Sequence, residues 1–516
     1  MTTEKTHHKN GDIFPPFYFQ IQNSFLILAI VSILFFQLVN TVETFLSTKD
    51  YLHFGLILSN ASNLDLGYLP HKEITIQYGI VTTYIQYLFC KVFGFDFLSL
   101  AIATFTFYLI HLFFIFQSVR IFCSFPISLL TILFVQLFSL YIPYPWADFY
   151  SAAFLSVLIY CILTEKHYLA ILFCILTVFA RYTYAPIAGI LFLYTVYSYH
   201  SPRKKIFYYS FGIFVILNVL LYFATSLTLL EIKNRLAHTV SLHSHLISQS
   251  DFQFLTIILD VIRKALAFDV SFPFLLLSIL ISSLFFYLKR ADQKNQKLLV
   301  IFFATFTHVL YLTRYGEIWR VVSSHGFVLA VLLGMLFNNI IFFLKTKQIS
   351  LQILGTSIFP FFLALSILPN MRNMEWRKIP DSLKQNMQIY ANRYQVGNVF
   401  LFNPDHKNLM DGISTTICKE NNYVINETNL FLLKGICKER MHFYDLQIDY
   451  KTPVNISSTN FFKIPKGKIY YITYLKDHAD RLKEYYPQGT HSKFDMFSMP
   501  WNEPSVQNIY IFQVEL

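Results

Sequence analysis

Apolar runs recur between Phe25 and Pro369, and charge is confined mostly to the short segments that separate them. A hydrocarbon core about 30 Å thick needs roughly 20 apolar residues in a helix. The runs therefore read as membrane-spanning helices, predicted to start near Phe25, Phe97, Phe125, Tyr150, Tyr168, Pro186, Ile206, Val270, Leu298, Val321 and Leu351. That makes about eleven spans. Ile80 to Phe93 differs: it is amphipathic and reads as a helix lying in the membrane interface. Past Pro369, Asn, Asp, Lys and Pro become frequent, and the apolar runs shorten to strand length at residues 399–402, 468–474 and 509–514. The pattern predicts an α-helical polytopic membrane protein, with residues 1–370 in the membrane domain. Residues 371–516 are expected to form a small extracytoplasmic α+β domain.

Composition agrees. Of 516 residues, 55% are hydrophobic and 14% charged, against about 25% charged in an ordinary soluble domain. A soluble enzyme of ordinary type and a disordered chain are both excluded. The net charge of +11 would suggest a nucleic-acid partner in a soluble protein. Here its position argues for topology. With the N-terminus inside, the cytoplasmic segments hold 13 Lys plus Arg against 4 Asp plus Glu, while the first outside segment, residues 41–96, holds 3 against 5. Cytoplasmic loops retain basic residues. The expected placement is a bacterial inner membrane, with the N-terminus cytoplasmic, the C-terminal domain periplasmic and no nucleic-acid partner.

The first apolar run has no small-residue cleavage site and reads as a retained helix. Cys90, Cys123, Cys161 and Cys174 lie in or beside apolar helices, where a thiol is a small packing residue. Cys418 and Cys437, the pair in the tail, are expected to form a disulfide in an oxidising compartment; two free thiols are the alternative.

The stretch after the first helix, residues 48–94, carries candidate chemistry. Asp50 sits at the membrane exit, His53 one turn on, and Gly67-Tyr68, His71-Lys72-Glu73, Tyr78-Gly79 and Phe93-Gly94 follow. Further on come PYPWADFYSAAF, containing Asp148, and FARYTYAP, containing Arg181. In this order the motifs resemble the GT-C superfamily of integral-membrane glycosyltransferases, in particular the bacterial protein mannosyltransferase and aminoarabinose transferase branch. The resemblance covers roughly Phe25 to Pro369.

It implies a hexosyl- or pentosyltransferase. The donor would be a polyprenyl-phosphate sugar, and the acceptor an envelope glycan such as lipopolysaccharide, a lipid or a protein. Such a transfer needs a base for the acceptor hydroxyl as the anomeric carbon is attacked. Asp50 is the candidate base, in an inverting mechanism; the alternative is a helix N-cap. Asp148 is the second catalytic candidate, orienting the acceptor or sharing a divalent cation (Mg or Mn) with Asp50, or again capping a helix. The leaving phosphate calls for cations, and Arg181 with Arg314 and Arg320 of the TRYGEIWR turn, which also carries the substrate-contact candidate Glu317, supply them on the same predicted face. Charges this close to hydrocarbon default to a functional reading, against snorkelling to lipid headgroups. His53 and Tyr78 are candidate contacts to sugar or phosphate, or packing residues. His238, His243 and His245 read as part of a flexible donor-binding loop, with a metal site the alternative.

No nucleotide-binding loop or hydrolase elbow is evident. Two other functions stand beside the transferase. A flippase or transporter of lipid-linked sugars would favour paired halves and charge at mid-membrane. An inactive relative would keep the fold alone.

Overall fold

The computed structural model describes residues 16–48, 53–74, 76, 79–138, 145–199, 203–228, 230–231, 283, 287, 292–313, 326–328, 330–334, 337, 376–402, 404–418, 422–426, 432–438, 442–445, 468–473, 476–495 and 508–515. The helical part comprises α1 (Pro16–Leu46), α2 (His53–Asp65), α3 (Ile80–Phe93), α4 (Phe97–Val119), α5 (Phe125–Phe138), α6 (Ala147–Leu163), α7 (His167–Ala180), α8 (Ala185–Ser198), α9 (Arg203–Thr225) and α10 (Gln293–Thr313). Three of these, α1, α4 and α9, contain stretches long and apolar enough to cross a membrane. The predicted starts fall within a few residues, except at α1. That helix begins at Pro16, because its first turns mix aromatic and polar residues and escape an apolar criterion. The starts expected near Val270, Val321 and Leu351 lie outside the described residues, although 326–328 and 330–334 are helical.

Helix α6 is buried on nearly every side and packs between α4 and α7, as a helix that is apolar all round should. Ala147, Ser151, Ala152, Ala153 and Ser156 keep it slim enough for close approach. Polar side chains link the helices where no water competes. Gln37 donates to the Tyr108 hydroxyl at 3.2 Å and to the Gln136 carbonyl at 3.1 Å. His111 Nδ1 lies 2.7 Å from the Ser156 hydroxyl. Asp96 caps α4 by accepting from the Ser99 N–H at 2.8 Å. Burial raises its carboxyl above the usual carboxylate range, while the bonds from Ser99 pull the other way.

The C-terminal part is α+β. It contains α11 (Ile379–Ala391), a hairpin of β1 (Tyr394–Val396) and β2 (Val399–Leu401), α12 (Pro404–Ile417), β3 (Tyr423–Asn426), α13 (Leu432–Ile436), β4 (His442–Asp445), β5 (Lys468–Thr473), α14 (Lys476–Tyr485), β6 (Thr490–Asp495) and β7 (Asn508–Glu515). The five-stranded sheet runs β4-β3-β5-β7-β6; β3 is parallel to β4 and β5, and β7 is antiparallel to β5 and β6. Residues of β5 from Ile469 on are buried on both faces, which suits a central strand. A disulfide joins Cys418 to Cys437, with Cα atoms 5.3 Å apart, and so ties the end of α12 to the end of α13. One apolar core holds Phe45, Phe54, Leu58 and Phe97 together with Leu401, Met410, Leu433 and Ile436. The C-terminal part therefore shares its core with α2 and the start of α4.

Candidate active site at one end of the helical bundle

The turn after α2 is built by its own backbone. Gly67 N–H donates to the Leu64 carbonyl at 3.1 Å and Tyr68 N–H to Asn63 at 3.0 Å, closing the helix. His71 N–H then donates to Ile74 at 2.9 Å, and the Glu73 carboxylate accepts from Leu69 N–H at 2.8 Å. This compact turn leaves His71 at φ 59°, a left-handed conformation that few side chains adopt. His71 is buried, and its Nε2 lies 3.1 Å from the Tyr182 hydroxyl, on the turn between α7 and α8.

Gly79 brings α3 against that same turn. A Cβ there would stand 2.1 Å from the Ala180 carbonyl oxygen, and Thr82 donates to that oxygen at 2.8 Å. The next residue is Arg181. It leaves α7 in an extended conformation, its Nη1 2.7 Å from Asp148 Oδ2, and the two side chains are 8% and 1% exposed. Arg181 Nε donates to the Thr183 hydroxyl at 3.0 Å. The Thr183 carbonyl is met by His308 Nε2 of α10 at 3.1 Å, and the His308 ring sits 4.5 Å from that of Tyr184.

Asp148 is not an N-cap. Trp146 holds that position, and Asp148 lies in the first turn of α6, where the helix dipole favours a negative charge. Arg181 does not snorkel; it is buried and paired. These two predicted residues are thus brought together with the turn of residues 67–74 and Gly79. Burial raises the Tyr182 hydroxyl above its ordinary value.

Asp50, Tyr78, Arg314, Glu317 and Arg320 lie outside the described residues, as do His238, His243 and His245. His53 opens α2, but its side chain is outside them too. Among the described residues, no group of three His, Cys, Asp or Glu could hold a metal ion. Among the described residues Asp148 is paired with the Arg181 guanidinium, and Asp50, its expected partner in holding a cation, lies outside them.

Tyr182, Thr183 and His308 were not singled out from sequence. Tyr182 and Thr183 belong to the FARYTYAP motif, and His308 is an ionisable residue inside an apolar run, a signal that reads as functional by default.

No family model matches the chain, and no curated protein matches it. The chain is similar to two structures of ArnT. One is ArnT from Cupriavidus metallidurans bound to undecaprenyl phosphate, at 11% identity, covering 95% of this chain and 98% of that one, with a TM-score of 0.49. The other is ArnT from Cupriavidus metallidurans in the apo state, at 10% identity, covering 95% and 97%, with a TM-score of 0.46.

Proposed function

We propose that the chain is a GT-C type glycosyltransferase of a bacterial inner membrane. It moves a sugar, with inversion, from a polyprenyl-phosphate donor to an envelope glycan, lipid or protein. The observation that carries this reading is the assembly of three separate motif segments at one end of the bundle. The turn of residues 67–74, Asp148 and the Arg181–Tyr184 turn are far apart in sequence and in hydrogen-bond or ion-pair contact through His71, Tyr182 and Arg181.

Each residue has a physical task in that chemistry. Asp50, which follows α1 in the sequence, takes the proton of the acceptor hydroxyl as that oxygen attacks the anomeric carbon. The bond from that carbon to the phosphate oxygen breaks, and the phosphate leaves on its lipid. A fixed guanidinium suits the departing anion. Asp148 is assigned to hold Arg181 in orientation rather than to act as a base, because its charge is already matched. His53, Tyr78, Arg314, Glu317 and Arg320 are assigned to contact with donor or acceptor. No step is routed through a metal ion. In this placement the N-terminus is cytoplasmic and both the site and the C-terminal part are periplasmic.

The test uses purified full-length protein in detergent, with synthetic polyprenyl-phosphate hexose and pentose donors. The wild type should release or transfer sugar without any sealed vesicle, and Asp50→Asn should abolish this while leaving the protein folded. An active Asn variant removes Asp50 as the base. Folded wild type that turns over no donor in detergent, yet moves lipid-linked sugar across vesicles, establishes the transporter instead.

A further inference from the structure

Helix α13, with the sequence Leu432-Leu433-Lys434-Gly435-Ile436, is buried along its whole length. It belongs to the C-terminal part but docks on α2 of the helical part. The approach is close: a Cβ at Gly435 would stand 2.6 Å from Ser59 Cα, and the Ser62 hydroxyl donates to the Gly435 carbonyl at 2.7 Å. The disulfide from Cys418 to Cys437 fixes the residue that follows α13. A lysine is rarely buried without a partner that repays its desolvation. Lys434 is 5% exposed, and two of its partners lie in the other part of the molecule. Its Nζ donates to the Glu73 carbonyl at 2.6 Å and stands 4.7 Å from the centre of the Tyr68 ring.

Those two contacts sit near the two ends of the turn that carries His71. A left-handed backbone at a non-glycine residue persists where its surroundings over-determine it, and His71 is at φ 59°. We propose that Lys434 is a positioning residue. It clamps the turn of residues 67–74 so that His71 stays buried against Tyr182, and the C-terminal part is thereby a working component of the site. The clamp itself is a structural statement; its consequence for turnover rests on the transferase reading above.

Two readouts separate these. Diethyl pyrocarbonate labelling of His71 in full-length protein in detergent, read by mass spectrometry, reports the clamp without any substrate. His71 should be protected in the wild type and labelled several-fold faster in Lys434→Met and Lys434→Gln. Lys434→Arg keeps charge, donor and ring contact and should restore protection. Tyr68→Leu removes the ring side of the clamp while leaving Lys434 in place, and should also expose His71; it serves if the neutral lysine variants do not purify as monodisperse species. In the donor assay kcat should fall by roughly tenfold to a hundredfold, the scale of a misplaced supporting group, with KM little changed. Unchanged labelling in a monodisperse neutral variant overturns the clamp, and so does failure of Arg to protect. Faster labelling with unchanged kcat overturns its role in the site. Faster labelling in a protein whose wild type turns over no donor upholds the clamp and sinks the transferase reading instead.

Discussion

The two ends of the helical bundle each carry an ion pair that ties neighbouring helices, and the pairs are not alike. At one end Asp148 of α6 meets Arg181 at the end of α7 at 2.7 Å, with both side chains almost fully covered. At the other, Lys297 of α10 meets Glu165, in the turn between α6 and α7, at 2.8 Å, and the Glu165 side chain is 51% exposed. Lys297 also donates to the Leu163 carbonyl at 3.2 Å, so it caps a helix end as well as pairing. The contacts of α10 connect both ends: His308 lies about 16 Å along the helix from Lys297, at 1.5 Å per residue. The distances are nearly equal and the two cations equally covered, Lys297 and Arg181 both at 8%; the difference is solvent at the carboxylate, 51% exposed for Glu165 and 1% for Asp148. A wet pair contributes little and breaks cheaply, whereas a dry pair is costly to build and damaging to break.

Breaking the pairs one partner at a time tests that contrast. The largest effect is expected for Arg181→Met, which strands the Asp148 carboxylate in a dry environment. The penalty should be about 3–5 kcal/mol of stability, together with loss of sugar transfer. Denaturant titration in detergent measures the first and the donor assay the second. Next comes Gly79→Ala. Its methyl group has no room against Ala180, so α3 must shift, at a cost of about 1–3 kcal/mol. Turnover should drop as Arg181, the neighbour of Ala180, moves. His308→Leu leaves the Thr183 carbonyl without the imidazole that meets it, at about 1–3 kcal/mol. Its effect on the donor assay should exceed that of a substitution near Lys297 on the same helix. The smallest effect belongs to Glu165→Gln, within about 1 kcal/mol of the wild type because a half-exposed pair is screened. A Glu165→Gln variant as unstable as Arg181→Met would erase the contrast.

The parts of this arrangement that were legible in the sequence are those set by local pattern. Ile80–Phe93 was readable end to end as a helix, and the starts at Phe97 and Phe125 were readable because apolar runs begin there abruptly. The strands at 399–401, 468–473 and 508–515 announced themselves by short apolar runs. Strand order was not legible, since the placing of β7 between β5 and β6 rests on pairings between distant segments. The site divides in the same way. Asp148 and Arg181 stood out singly as charges near hydrocarbon, but nothing local says that they meet. Asp148 at a helix start invited a capping role, but Trp146 occupies the N-cap position and Asp148 lies in the first turn. Lys434 lies in a five-residue helix of mostly apolar residues within a polar tail, and its partners Tyr68 and Glu73 belong to the helical part. A contact of that kind becomes visible only when the two parts are packed together.

The most direct test sets the two ends side by side: the rate of sugar transfer from a polyprenyl-phosphate donor by purified Asp148→Asn and Glu165→Gln proteins in the same detergent. With chemistry confined to the Asp148 end, Glu165→Gln should turn over donor at the wild-type rate and Asp148→Asn should be close to inactive. An Asp148→Asn protein that transfers sugar as fast as Glu165→Gln would contradict the account.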